Sequence, residues 1–289
     1  MAEITIQNLK KSYGKKLVLD IPSMKIANGV SVGIFGANGS GKSTLIKCIA
    51  GLIPYQGEIL IDGEDVFKKT SLLASVGILI EEPALYKDMT GRKNIEYFCS
   101  DASNMLEYAK LLGVEDILDK KVRTYSLGMR QKIAILLACV KGKNLILLDE
   151  PFNGLDIISV EKAIDLLNLC RQKGATILLT SHQLEVSQKV IDYYYLLKGT
   201  KIYDCTAPQP MGGKRYQLDF FDKDSANQAF SVLQENGYQC SLQDFSIKIF
   251  GEDMRITQII DCLKYFNIKK IEDISYSVKE AYLDMESGK

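Results

Sequence analysis

Apolar and polar positions repeat along this chain with two different periods. A two-residue alternation opens it: Ile4–Gln7 and Leu17–Ile21 predict short strands, with Gly14 and Asn28-Gly29 as turn signals. Short continuous apolar runs follow at Val30–Phe35, Leu145–Leu148 and Ile177–Leu179, the pattern of strands covered on both faces. Ile59–Ile61, closed by Asp62-Gly63, predicts one more strand and its turn. Between these runs the period lengthens to that of a helix. Thr44–Ala50, with Gly51 as a stop, predicts one helix, and Val160–Cys170 and Gln183–Val190 predict two others. Helical spacing also fills about 88–140, in Asn94-Tyr97-Phe98, in Met105, Leu106, Ala109 and Leu112, and in Ile133, Leu136, Leu137 and Val140. Alternating buried strands and helices predict a parallel α/β core with a mostly helical insertion.

The pattern changes again near the C-terminus. Ala207-Pro208-Gln209-Pro210-Met211-Gly212-Gly213 predicts a linker over 207–213. It separates a first domain over 1–206 from a second over 214–289. The second reads as strand (Tyr216–Phe220), helix (Ser225–Glu235), strand near Tyr238, strand (Phe245–Ile249), helix (Arg255–Tyr265) and strand (Ile271–Ile274). That is the order of a small ferredoxin-like α+β domain.

One strand-to-helix junction carries chemistry. Gly36-Ala37-Asn38-Gly39-Ser40-Gly41-Lys42-Ser43-Thr44 fits G-x-x-x-x-G-K-[ST], a loop whose backbone amides receive phosphates. Its glycines allow φ > 0 and close approach of a ligand. Lys42 can reach the β and γ phosphates, and the Ser43 hydroxyl can sit on Mg²⁺. A ligand-free glycine turn is the alternative, against which stand the length of the motif and its flanks. The loop alone says only that ATP or GTP binds.

A second constellation narrows the reaction. The run Leu145–Leu148 ends in Asp149-Glu150, at the strand end where α/β proteins bind ligands. Asp149 would hold Mg²⁺ directly or through water, and Glu150 would orient or deprotonate the attacking water. His182, the one histidine in the chain, follows the strand at Ile177–Leu179 and so falls on the same edge. There it can donate to a γ-phosphate, or simply begin a helix next to a Ser181 cap.

Composition excludes some partners. Lys plus Arg and Asp plus Glu are equal at 36, so no global charge calls for nucleic acid, and none is expected as a partner. The 289 residues, 46% hydrophobic, suffice for a large domain and a small one. Seven scattered cysteines without C-x-x-C spacing predict reduced, mostly buried thiols of a cytoplasmic protein rather than a zinc site. Met1–Ile6 alternates as a strand would and does not read as a signal peptide. The longest apolar runs, such as Ile133–Val140, are about eight residues, against roughly 20 for a membrane span.

Together these residues resemble the ATP-binding subunit family of ABC transporters over roughly 3–204. Asp149-Glu150 is similar to the family's Walker B end with its catalytic glutamate, Asn153-Gly154-Leu155-Asp156 to its D-loop, and His182 to its switch histidine. Tyr13 stands where the family stacks an aromatic ring on adenine. Tyr125-Ser126-Leu127-Gly128-Met129 aligns with the signature commonly written LSGGQ, keeping Ser126 and Gly128 as candidate contacts to a γ-phosphate. Glu81 aligns with the family's Q-loop glutamine, where a carboxylate can still ligate Mg²⁺ or a water. These departures resemble the branch of bacitracin- and lantibiotic-type exporters.

The resemblance implies a P-loop NTPase core with an N-terminal antiparallel β subdomain. It implies Mg²⁺ and ATP as cofactors, and two ATP-binding subunits paired head to tail, as a homodimer or with a close relative. It also implies an integral membrane subunit as partner, contacted through the helical insertion and the loop around Glu81–Tyr86. The subunit itself would lie on the inner face of the cell membrane. Leu85 and Tyr86 are candidates for that contact or for interior packing. A soluble regulatory or nucleic-acid- or ribosome-associated ABC-type ATPase is the alternative. The tail from about 214 carries no chemical motif, and reads equally as a dimer regulator, a partner-binding domain or a packing appendage.

Overall fold

Two strands pair as a long hairpin at the start of the chain, β1 (Ile4–Tyr13) antiparallel to β2 (Lys16–Ile26). Both extend beyond the short strands expected, because inward positions continue to be buried through Leu9 on β1 and through Met24 and Ile26 on β2. The chain then runs through β3 (Ser31–Phe35), α1 (Lys42–Ile49), β4 (Gln56–Ile61), β5 (Glu64–Asp65) and β6 (Val76–Leu79). Helices α2 (Gly91–Phe98), α3 (Met105–Leu112) and α4 (Leu127–Lys141) form the insertion. The core resumes with β7 (Leu145–Asp149), α5 (Ile157–Gln172), β8 (Thr176–Thr180), α6 (Leu184–Ser187), β9 (Tyr193–Lys198) and β10 (Lys201–Asp204). The computed structural model describes residues 2–80, 85–182, 184–204, 214–251 and 256–273. Glu81 and the linker expected over 207–213 lie outside the described residues.

The N-terminal sheet has the order β2-β1-β4-β5 and is antiparallel throughout. The central sheet has the order β10-β9-β3-β8-β7-β6, parallel from β9 to β6. Strands β7 and β8 are buried along their whole length, and the two-residue pleat divides each of them between two cores. Leu145 and Leu147 of β7 join the cluster that holds α1 and the N-terminal sheet, whereas Ile146 and Leu148 join the cluster of the helical insertion and α5. Helix α1 stops at Gly51, φ +64°, where the Gly51 and Leu52 amides donate back to the Cys48 and Lys47 carbonyls. Helix α6 is shorter than the pattern predicts. The Asp192 amide bonds to the Ser31 carbonyl at 2.7 Å, so the chain must turn away before Val190 to begin β9 beside β3.

Contact density divides the chain into two units, Met1–Thr206 and Ala207–Lys289. The second contains β11 (Lys214–Phe220), α7 (Lys223–Glu235), β12 (Gln239–Gln243), β13 (Ser246–Gly251), α8 (Ile256–Cys262) and β14 (Ile268–Asp273). Its strand order β12-β13-β11-β14, antiparallel at every pair, is the ferredoxin-like topology. Tyr216, Leu218 and Phe220 face a small core with Ile247, Ile249, Leu233 and Ile259.

Candidate functional site

Strand β3 is buried along its whole length and hands the chain to α1 through the glycine loop. Two glycines there serve different needs. Gly41 caps α1 at φ +106°, a region that a side chain disfavours. Gly36 is required for space: a Cβ on it would stand 2.5 Å from the Leu197 carbonyl oxygen. The first intrahelical bond of α1 runs from the Leu45 amide to the Gly41 carbonyl at 2.9 Å. The amides of Lys42, Ser43 and Thr44 precede it and have no partner within the helix, which makes this end a receptor for anions. The Lys42 ammonium is buried and donates to the carbonyls of Gly36 (2.8 Å) and Ala37 (3.3 Å).

The acids arrive on neighbouring strands. Asp149 ends β7 buried, paired in register with Thr180 at the end of β8. Thr180 Oγ1 donates to Asp149 Oδ1 at 2.5 Å. Glu150 follows with φ +48°, unusual for a residue bearing a side chain. That turn brings Glu150 Oε1 to 3.8 Å from Lys42 Nζ. Glu150 Oε2 accepts from the His182 amide at 3.2 Å and lies 2.8 Å from its Nδ1. His182, expected to face a phosphate, thus also grips the carboxylate beside it. Lys42, Asp149, Glu150 and His182 therefore form one connected group. Thr180 belongs to it without being marked by the apolar pattern; its signal is a hydroxyl residue closing an otherwise apolar strand at the acid-bearing edge.

Hard oxygen donors such as the Ser43 hydroxyl and the Asp149 carboxylate suit Mg²⁺, which takes few protein ligands and completes its shell with phosphates and water. Among the described residues no cluster of three or more His, Cys, Asp or Glu forms a protein-only metal cage. Six described cysteines are free, four of them buried.

Other candidates lie apart from this group. Ser126 caps α4, its Oγ accepting the Met129 amide at 3.2 Å. Gly128 packs on the turn after β7, where a Cβ would meet the Gly154 carbonyl oxygen at 3.1 Å. Asp156 caps α5 and accepts from the Ser159 amide at 2.8 Å, which together with the Ser159 hydroxyl holds its carboxyl below the usual range. Leu127, Ile157 and Ile158, next to these caps, expose 58%, 83% and 70% of their surface. Tyr13 is half-exposed at the end of β1, with Lys11 Nζ 4.8 Å from its ring centre. The same hairpin presses Val18 and Leu19 against Gly41. Leu85 is buried, whereas Tyr86 is half-exposed and stacks on Phe98 with centroids 5.6 Å apart. Phe98 and Leu85 line a cleft of about 260 Å³ with Leu52, Ile80 and Leu137, and with Lys141 among its walls.

The model of the family described as "ABC transporter" matches residues 19–153. The "Lantibiotic transport ATP-binding protein SrtF" of Streptococcus pyogenes is 33% identical over 204 residues, 69% of this chain and 88% of SrtF. The chain belongs to the ABC transporter ATP-binding family. Members of this family hydrolyse ATP. The "Uncharacterized ABC transporter ATP-binding protein YhcH" of Bacillus subtilis is 27% identical over 98% of this chain and 95% of its own length, so its likeness to this ABC subunit extends through the second unit. A solved "Structure of ATP binding subunit of ABC transporter" shares the fold, with a TM-score of 0.64 at 21% identity, over 90% of this chain and 99% of that one.

Proposed function

We propose that this ABC ATPase powers export of a peptide, antibiotic or other amphipathic compound through a separate membrane subunit, by closing on a second ATP-binding subunit around Mg²⁺–ATP. The observation that carries the reading is the convergence of Lys42, Asp149, Glu150 and His182 on one sheet edge. In this reading the loop amides and Lys42 hold the phosphates, while Ser43 and Asp149 hold Mg²⁺, which neutralises the gathered charge. Tyr13 stacks on the base. Glu150 orients and deprotonates the water, and His182, donating from Nδ1, fixes the carboxylate that does so. Glu81 takes the Q-loop place on the resemblance alone.

One chain carries one phosphate loop, and Ser126 and Gly128 stand on a different element, at the start of α4, beside exposed Leu127. That division supports a site completed by a partner's signature segment. The apolar cleft beside Tyr86 and Phe98 supports docking of a membrane subunit. Among the described residues no helix is long and apolar enough to cross a membrane. In this reading the separate membrane subunit holds the chain at the inner membrane face. SrtF's name supports a peptide cargo.

Glu150→Gln tests the reading. Hydrolysis is expected to fall roughly 10²–10⁴-fold, with ATP affinity retained and ATP-dependent dimers accumulating on gel filtration. Unchanged turnover would reject the assignment.

A further inference from the structure

Thr176 and Thr180 open and close the same buried strand, β8, and both side chains are fully enclosed. Their hydroxyls serve different ends. Thr176 Oγ1 donates to the Ala2 carbonyl at 2.7 Å and accepts the Gly29 amide at 2.8 Å, tying the start of the chain to the sheet. Thr180 Oγ1 ties together the two acids. It donates to Asp149 Oδ1 at 2.5 Å and accepts from the Glu150 amide at 3.1 Å. The same amide reaches the Thr180 carbonyl at 3.2 Å.

A hydroxyl has one proton. With it given to Asp149, Thr180 Oγ1 can only accept from Glu150, so the polarity of both bonds is fixed. The first bond fixes the orientation of the Asp149 carboxylate, whose other oxygen, Oδ2, is the one it would present to a cation. The second falls on the residue whose left-handed backbone is unfavourable for a glutamate. From that backbone the Glu150 carboxylate reaches Lys42 and His182. Had Glu150 continued the extended strand, its side chain would leave the sheet in another direction.

We infer that Thr180 is a positioning residue for ATP hydrolysis, its single hydroxyl setting both the presented oxygen of Asp149 and the exit direction of Glu150. This rests on the assignment of those two acids to hydrolysis.

The test uses the full chain and four variants: Thr180→Val, which keeps the shape and removes the hydroxyl; Thr180→Ser, which keeps the hydroxyl; Thr176→Val as the structural control; and Glu150→Gln. Turnover is measured against ATP concentration, and ATP affinity by calorimetry, with Mg²⁺ and with chelator. Thr180→Val is expected to lower kcat by about tenfold or more while KM changes less than about threefold, the signature of an interaction made in the transition state. Its ATP affinity in chelator should match the parent, and the gain on adding Mg²⁺ should shrink. Thr180→Ser should restore both, and Thr176→Val should lower the melting temperature without moving either. Parental kcat in Thr180→Val, or equal loss in Thr180→Ser, would overturn the inference and leave the acids' assignment standing. Parental turnover in Glu150→Gln would instead overturn that assignment, and the inference with it.

Discussion

Both units of this chain lay helices against a β-sheet, but they dispose of their polar side chains in opposite ways. In the first, strands β9, β3, β8, β7 and β6 run parallel, so all their C-terminal ends lie on one edge. The glycine loop after β3, Asp149 on β7 and Thr180 on β8 meet there because no other edge is available to them. In the second, every neighbouring pair is antiparallel, and the strand ends are split between two edges. Its polar residues gather on a sheet face instead, where Ser246 and Gln217 both donate to Asp219 Oδ1, at 2.6 and 3.0 Å. Strand direction thus decides whether polar side chains converge on one edge or satisfy one another on a sheet face.

The contrast breaks most visibly at the lysine. Lys42→Ala removes the buried cation of the loop and should cost about 2–5 kcal/mol of ATP affinity, read by calorimetry. Parental affinity would mean that the converging edge is not where nucleotide is held. In the second unit, Leu218→Ala opens a cavity in a small core and should destabilise that unit by about 2–5 kcal/mol in denaturant. ATP affinity should be unmoved, since the nucleotide group belongs to the first unit; a loss of affinity would show that the two units are not functionally separable.

The smallest effect concerns pH. The Ser246 hydroxyl, and after it the Gln217 amide, hold the Asp219 carboxyl below its usual range. A depressed carboxyl contributes stability that is present above its unfolded value of about 3.9 and is lost as pH falls through the lower folded value. Denaturation of the full chain followed from pH 6 to the acid limit should show this slope for the second unit, and Asp219→Asn should flatten it. An unchanged slope would assign the acid loss to other carboxylates.

Much was legible in the residues themselves. Apolar period and turn residues predicted the buried strands β3, β7 and β8, the helical insertion, and the βαββαβ order of the tail, because burial on one face or two leaves a direct mark on composition. The phosphate loop was legible because its glycines and lysine are contiguous and local geometry alone demands them. The hairpin strands outrun the short runs expected, since two successive exposed residues, Gln7-Asn8 on β1 and Pro22-Ser23 on β2, interrupt the alternation before it resumes.

What the sequence determined by itself was local: which segments extend, which coil, and where a nest of amides forms. Only the tertiary structure decided which groups meet across strands. Thr180 lies 31 residues from Asp149 and 30 from Glu150, and becomes their hydrogen-bond partner because β8 was placed between β3 and β7. Periodicity records the environment of each residue and is silent on strand order. Order and direction, which bring a hydroxyl, two carboxylates, an imidazole and an ammonium to a single edge, follow from how whole elements cover one another's apolar faces.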